Sequence, residues 1–122
     1  MIAGSITGHE PVINVMVRGV SGRRINVSFV LDTGFTGFLI LPPDIVESLG
    51  VDVISPVSLH TPGRRRTHGT LHRVKVDWDG ELRDMEVICM ESDALLGMSA
   101  LEGYEVVLEV AEGGLVSISP IS

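Results

Sequence analysis

A single carboxylate, Asp32, stands between two apolar stretches of the chain. The largely apolar run 27–31 precedes it, and a second run, 38–41, follows a turn that contains Thr33 and Gly34. A carboxylate among residues that favour burial costs several kcal/mol unless hydrogen bonds or a partner charge compensate it. Asp32 is therefore a candidate for acid–base chemistry. The alternative is an ordinary Asp-Thr-Gly turn at the end of a strand, since Asp and Gly are common turn residues.

Other residues that carry chemistry are sparse. The four histidines are scattered, without the His-x-x-x-His or Cys-x-x-Cys spacing of metal sites, and the sequence predicts no metal site. We interpret His60, His68 and His72 as solvated residues of a polar hairpin. Cys89, the one cysteine, fits a core residue better than a nucleophile, because no His or Asn constellation is suggested around it.

The elements that must position Asp32 are mostly short strands. Residues 12–17 and 24–31 flank a glycine-rich turn and predict a hairpin with Asp32 at its far end. Residues 42–50 have proline at the start and glycine at the end, which predicts a short helix. Further predicted elements are extended segments at 51–59, 65–78, 82–90, 104–110 and 115–118, and a strand end that passes into a short helix at 94–101. The pattern indicates one all-β domain over residues 1–122, closed or sandwich-like, with one or two short helices.

Two motifs and the hairpin between them resemble a known family. Leu31-Asp32-Thr33-Gly34 resembles the catalytic loop of the retropepsin-like (retroviral-type) aspartic proteases. Leu95-Leu96-Gly97, which leads into a predicted helix, resembles their second hallmark, two apolar residues and a glycine beside that loop. The hairpin tip Thr61-Pro62-Gly63-Arg64 suits a type II turn and lies where the family keeps its substrate-covering flap. The small prokaryotic members, with Asp-Thr-Gly-Phe-Thr-Gly and Leu-Leu-Gly-Met, are the most similar.

The resemblance implies a small closed β-barrel-like fold and aspartic endopeptidase activity on peptide or protein substrates, without a cofactor. It implies that Asp32 is catalytic, that Thr33, Gly34, Leu96 and Gly97 support the catalytic loop, and that Thr61, Pro62, Gly63 and Arg64 form a substrate-binding flap. Aspartic proteolysis requires two carboxylates that share a proton. The chain has one Asp-Thr-Gly and is too short for a two-lobed enzyme, so we expect a homodimer with one Asp32 from each copy.

Two positions depart from the viral pattern. Phe35 follows Gly34 where viral enzymes have a small residue, and we expect its ring to narrow the cleft. Met98 follows Gly97 in place of the viral arginine, so a dimer must derive stability from other contacts. Two alternatives remain open: a non-catalytic dimerisation or peptide-binding module with the same fold, and an unrelated small β-barrel with a chance tripeptide.

Composition limits the partners and the compartment. The 122 residues carry a formal net charge of −7 without a large basic patch, which argues against nucleic acid or an anionic membrane surface as partner. No apolar run approaches the ~20 residues that span a bilayer, and the N-terminus shows no signal-peptide pattern. With a single cysteine, the sequence predicts a cytoplasmic protein.

Overall fold

The computed structural model describes residues 1–60 and 66–122, and strands dominate it. The strands are β1 (Ile2–Thr7), β2 (Glu10–Arg18), β3 (Arg24–Leu31), β4 (Leu39–Leu41), β5 (Ser55–Leu59), β6 (Thr67–Trp78), β7 (Glu81–Cys89), β8 (Leu95–Leu96), β9 (Tyr104–Leu108) and β10 (Leu115–Pro120). Helices α1 (Pro43–Leu49) and α2 (Met98–Leu101) are short, and a single 3₁₀ turn covers Val20–Gly22. Within the described ranges no helix has the length and apolar character that a membrane crossing requires.

The strands form a 10-stranded sheet in the order β5-β6-β7-β4-β8-β3-β2-β1-β10-β9. A further pairing of β6 with β2 closes the strands from β6 to β2 into a ring. β1, β10 and β9 continue the sheet beyond this ring, and β9 lies at its outer end. The predicted all-β, barrel-like fold is confirmed, with the closure confined to part of the sheet.

An ion pair lies where the ring closes. Val17 and Arg18 of β2 pair with Val76 and Lys75 of β6. Beside them the Arg18 guanidinium donates to both carboxylate oxygens of Asp77, with Nε–Oδ1 at 2.8 Å and Nη2–Oδ2 at 3.1 Å. These hydrogen bonds, and secondarily the guanidinium charge, hold the pKa of Asp77 below its usual value, although desolvation opposes them.

The core fills the ring and continues beneath α1. Its fully buried large side chains include Phe29, Ile13, Leu39, Leu41, Leu49, Met85, Leu96 and Ile118. The predicted helix begins at Pro43, buries Val46 and Leu49, and ends at Gly50, whose φ of 71° places it in the left-handed conformation. That conformation ends many helices and favours glycine.

The sequence patterns missed β1 and misplaced some strand ends. β1 contains Gly4 and Ser5, which weaken a strand signal, yet it pairs with both β2 and β10. The extended segment expected from residue 51 becomes a strand only at Ser55, and β9 ends at Leu108, before the expected limit at residue 110. In each case pairing with another strand of the sheet, and not the local pattern, sets the boundary.

Candidate active site

Asp32 follows the last residue of β3, at the point where the chain turns out of the sheet. Its backbone N–H donates to the Leu96 carbonyl at 2.9 Å, and its own carbonyl accepts from Phe35 N–H at 3.1 Å. The Gly34 N–H donates to Asp32 Oδ1 at 2.9 Å. The side chain is half-buried, so the loop orients the carboxylate without enclosing it.

Strand β8 brings the two sequence motifs together. It runs parallel to β3, with Leu31 opposite Leu96, and antiparallel to β4, with Leu39 also opposite Leu96. Leu96 is fully buried between these strands. The residues expected to support the catalytic loop from this side, Leu96 and Gly97, therefore lie directly against it.

The start of α2 holds the rest of the loop. The N–H groups of Gly97, Met98 and Ser99 donate to the carbonyls of Phe38, Phe35 and Gly37, respectively, at 2.8, 2.8 and 3.1 Å. A Cβ atom at position 97 would lie 2.4 Å from the Gly37 carbonyl oxygen and 2.6 Å from that of Phe35. Glycine is required here because only a residue without a side chain permits this approach.

A cleft opens in front of Asp32. Its volume is about 390 Å³, and its lining residues are Asp32, Gly34, Phe35, Thr36, Ile40, Leu59, His60, Met90, Ser92 and Leu95. Asp32 is the only carboxylate among these described lining residues. The cleft therefore combines a single acid with mainly apolar walls, which suits a peptide with apolar side chains.

Comparison with known proteins decides the family. Residues 13–100 match the family model described as aspartyl protease. The chain belongs to the aspartyl protease family. A crystal structure of a retropepsin-like aspartic protease from Rickettsia conorii shares the fold with a TM-score of 0.61 at 18% identity, covering 99% of this chain and 91% of that one. A comparison with curated proteins gave no match.

In this aspartyl protease a second cavity lies beside the loop. This flank groove has a volume of about 550 Å³ and is lined by Thr33, Thr36, Met98, Ser99, Leu101, Glu102, Gly103, Tyr104 and Val106. It is larger than the cleft, but Asp32 does not line it, so we place the chemistry in the cleft. Thr33 is exposed and lines the flank groove, together with Met98 and Ser99 at the start of α2.

The ring of Phe35 packs against two glycines in addition to lining the cleft. A Cβ at Gly97 would lie 2.5 Å from the Phe35 ring, and one at Gly37 would lie 2.6 Å from it. The ring thus packs over both glycines while it lines the cleft. Met98, at the other position that departs from the viral pattern, is 46% exposed and lines the flank groove.

Arg83 is a supporting residue that the sequence reasoning missed. Its guanidinium donates to the carbonyls of Ala100 and Ser99 at 3.0 and 3.3 Å, and it lies 5.6 Å from the centre of the Phe38 ring. It thereby ties β7 to α2 and to the catalytic loop. A signal existed: Arg83 alternates with the buried Met85 on β7, so it occupies an inward position.

The hairpin formed by β5 and β6 reaches the cleft at Leu59 and His60. The expected flap residues Thr61, Pro62, Gly63 and Arg64 lie outside the described residues. Within the described part, no group of three or more His, Cys, Asp or Glu is arranged to hold a metal ion.

His72 corrects the expectation of a solvated histidine. It is 4% exposed, and its ring nitrogens lie 3.1 Å from the Val51 carbonyl and 2.8 Å from Thr70 Oγ1. Nδ1 donates to Val51, because a carbonyl can only accept. His60 and His68 are exposed, as expected. His72 therefore belongs to the packing between β6 and the segment after α1.

Proposed function

We propose that this aspartyl protease acts as a homodimer in which one Asp32 from each copy activates the water that hydrolyses a peptide bond. The observation that carries the proposal is the single carboxylate among the described residues of the cleft. Aspartic proteolysis needs two carboxylates that share one proton. A second copy supplies the missing carboxylate if the two loops meet across a two-fold axis.

The reaction then proceeds by acid–base chemistry on water. The ionised Asp32 takes a proton from the water, and the oxygen of that water attacks the carbonyl carbon of the peptide bond. The protonated Asp32 of the other copy donates its proton to the carbonyl oxygen. The carbonyl carbon becomes the centre of a tetrahedral intermediate. Proton transfer to the amide nitrogen then breaks the C–N bond and releases an acid and an amine.

Neighbouring residues have roles in this proposal. Gly34 holds one oxygen of Asp32 by its N–H and leaves room for a substrate backbone. Thr33, an exposed residue of the loop, forms a hydrogen bond with the loop of the other copy. Thr61, Pro62, Gly63 and Arg64 cover the bound peptide as a flap, which is supported by the approach of Leu59 and His60 to the cleft.

Asp32→Asn tests the assignment of Asp32. We expect cleavage of a mixed peptide library to fall by at least about a hundredfold, while the free energy of unfolding stays within about 1 kcal/mol of the parent's. The amide retains an oxygen that can accept from Gly34. Asp52→Asn, which changes an exposed acid in a loop outside the cleft, is the matched control and should cleave normally.

The pH profile separates this mechanism from other hydrolytic chemistry. Activity should be bell-shaped between pH 3 and 9, because the pair is competent only while it holds one proton. Full activity in Asp32→Asn would remove Asp32 from the mechanism. If neither protein cleaved any peptide although both were folded and dimeric, the peptide-binding module would replace the enzyme.

A further inference from the structure

The hairpin of β5 and β6, which contributes Leu59 and His60 to the cleft, is the most basic part of the chain. Residues 53–76 contain five of the nine arginines and lysines and none of the sixteen aspartates and glutamates. The chain as a whole carries a formal net charge of −7. One sign of charge concentrated beside a cleft raises the local concentration of ligands of the opposite sign. The hairpin is therefore a region where an anionic group would bind.

The cations on the inner half of the hairpin are already paired. On β6, Arg73 lies opposite Glu86 of β7, and Lys75 lies opposite Asp84. Arg73 Nη2 is 3.9 Å from Glu86 Oε2, and Lys75 Nζ is 3.0 Å from Asp84 Oδ1. These charges are balanced within the chain, so they are not available to a ligand.

The outer half of the hairpin has no acids beside it. β7 ends at Cys89, opposite Thr70, and from there outward β6 pairs with β5, which contains no aspartate or glutamate. Arg66 is exposed in this part, and it forms no ion pair with a carboxylate of the described residues. Its positive charge is therefore available to a group from outside the chain.

The strand register places Arg66 next to a residue of the cleft. The outermost pair of β5 and β6 is Leu59 with Thr67, so His60 and Arg66 are the next two residues outward. Directly opposite residues of an antiparallel pair have Cβ atoms about 5 Å apart on one face. His60 and Asp32 are the residues with ionisable side chains among the described lining of the cleft. Arg66 and His60 together thus form a pair of hydrogen-bond donors at the hairpin side of the cleft.

A different part of the cleft rim carries the opposite charge. Ser92 lines the cleft, and its chain neighbours Glu91 and Asp93 are exposed. A substrate carboxylate is attracted by Arg66 and repelled by these two acids, so charge restricts where an acidic side chain can lie. The hairpin side, with Arg66 and His60, is the favourable position.

We propose that the cleft selects peptides with an acidic side chain, and that Arg66 and His60 bind its carboxylate. The inference rests on the proposed function for the reaction at Asp32, and it adds the class of substrate. The planar guanidinium of Arg66 can donate to both carboxylate oxygens, and a ring N–H of His60 donates to one of them. Apolar substrate residues occupy the remaining, mainly apolar lining of the cleft.

Matched peptides measure this selectivity. Peptides with two apolar residues at the centre would carry Glu, Gln or Lys at one flanking position at a time, and kcat/KM would be measured at pH 6, where a peptide glutamate is ionised. At one position we expect Glu to be favoured over Gln about fivefold, with Lys the poorest of the three. Raising the salt concentration from about 50 to about 500 mM should reduce the preference for Glu to less than about twofold. A solvated hairpin without a binding role would give no preference at any position, and that result would overturn the proposal.

Charge reversal tests the role of Arg66. Arg66→Glu should make Lys the preferred residue at the same substrate position, and Arg66→Gln should leave Glu and Gln within about twofold of each other. Arg24→Glu is the matched control, because Arg24 is exposed at the start of β3 whereas Asp32 follows the end of that strand. It makes the same change in net charge and should retain the parent's preference. Equal shifts in both variants would attribute the selectivity to net charge and overturn the assignment of Arg66.

His60→Gln tests the second donor. We expect it to lower the preference for Glu about twofold, with little change in kcat/KM for the Gln peptide. His68→Gln is its control, since His68 is exposed on the same hairpin but lines a separate cavity with Ser58. An effect of His68→Gln as large as that of His60→Gln would contradict the position assigned to the substrate carboxylate.

Binding to the Asp32→Asn chain separates this proposal from the proposed function. Fluorescence anisotropy with labelled peptides should show about fivefold tighter binding of the Glu peptide than of the Gln peptide, reversed in favour of Lys by adding Arg66→Glu. If the parent cleaves Glu and Gln peptides equally at every position, the acidic selectivity is wrong and the two-carboxylate mechanism stands. If no peptide is cleaved but binding shows this preference, the selectivity stands and the proposed function is wrong. Neither cleavage nor charge-dependent binding would contradict both.

Discussion

The two sides of the catalytic loop differ in how completely one chain builds them. On the support side, the Asp32 N–H and the carbonyls of Phe35, Gly37 and Phe38 all have backbone partners in the segment from Leu96 to Ser99. On the groove side, Thr33 and Thr36 are exposed and line the flank groove together with Tyr104 and Val106 of β9.

This difference indicates a division between folding and assembly. The support side has its hydrogen bonds satisfied within one chain, where an unpaired buried group would cost about 1–3 kcal/mol. The groove side retains exposed apolar surface, such as Met98, which is 46% exposed. We infer that folding fixes the position of Asp32, and that a second copy completes the chemistry.

Gly97→Ala would break the support side and has the largest expected effect. The added Cβ meets two backbone carbonyl oxygens at 2.4 and 2.6 Å, and neither can move without displacing the loop. We expect the free energy of unfolding to fall by about 3 kcal/mol or more, with loss of cleavage. Urea denaturation measures the change, and unaltered stability would contradict the close packing.

Gly34→Ala sharpens the comparison within the same loop. The nearest atom to its added Cβ is Asp32 Oδ1 at 3.2 Å, so the substitution disturbs the carboxylate and not the support. Stability should change by less than about 1 kcal/mol, whereas kcat/KM should fall at least about tenfold. Equal losses of stability in both glycine variants would mean that the two sides do not differ.

Asp77→Asn changes a residue of β6, outside the catalytic loop, and has the smallest expected effect. Hydrogen bonds from Arg18 lower the pKa of Asp77 from its usual value near 3.8, so the ionised form stabilises the fold above that pH. We expect the variant to lower Tm by a few degrees at pH 7. Its difference from the parent should shrink as the pH falls below about 4 and Asp77 becomes protonated. A difference that persisted at pH 2 would contradict the role of ionisation.

Local motifs predicted that the Asp32 turn and the Leu95–Gly97 segment lie together. The Asp32 turn and the Leu96–Gly97 pair have recognisable residue types in a recognisable order, and the structure places them in contact. The sequence could not specify the pairing of β6 with β2 or the entry of β8 between β3 and β4, because these depend on residues far apart in the chain. The roles of Arg83 and His72 were missed for the same reason, since Arg83 binds carbonyls of α2 and His72 binds Val51.

Mixing active and inactive chains tests the central claim most directly. Parent and Asp32→Asn chains would be mixed at constant total concentration, well above the dissociation constant, and allowed to exchange before peptide cleavage is measured. If each active site needs Asp32 from two copies, an equal mixture should retain about one quarter of the parent's activity, because only parent homodimers have both carboxylates. A retained activity of about one half, proportional to the parent chains present, would show that one copy suffices and would contradict the account.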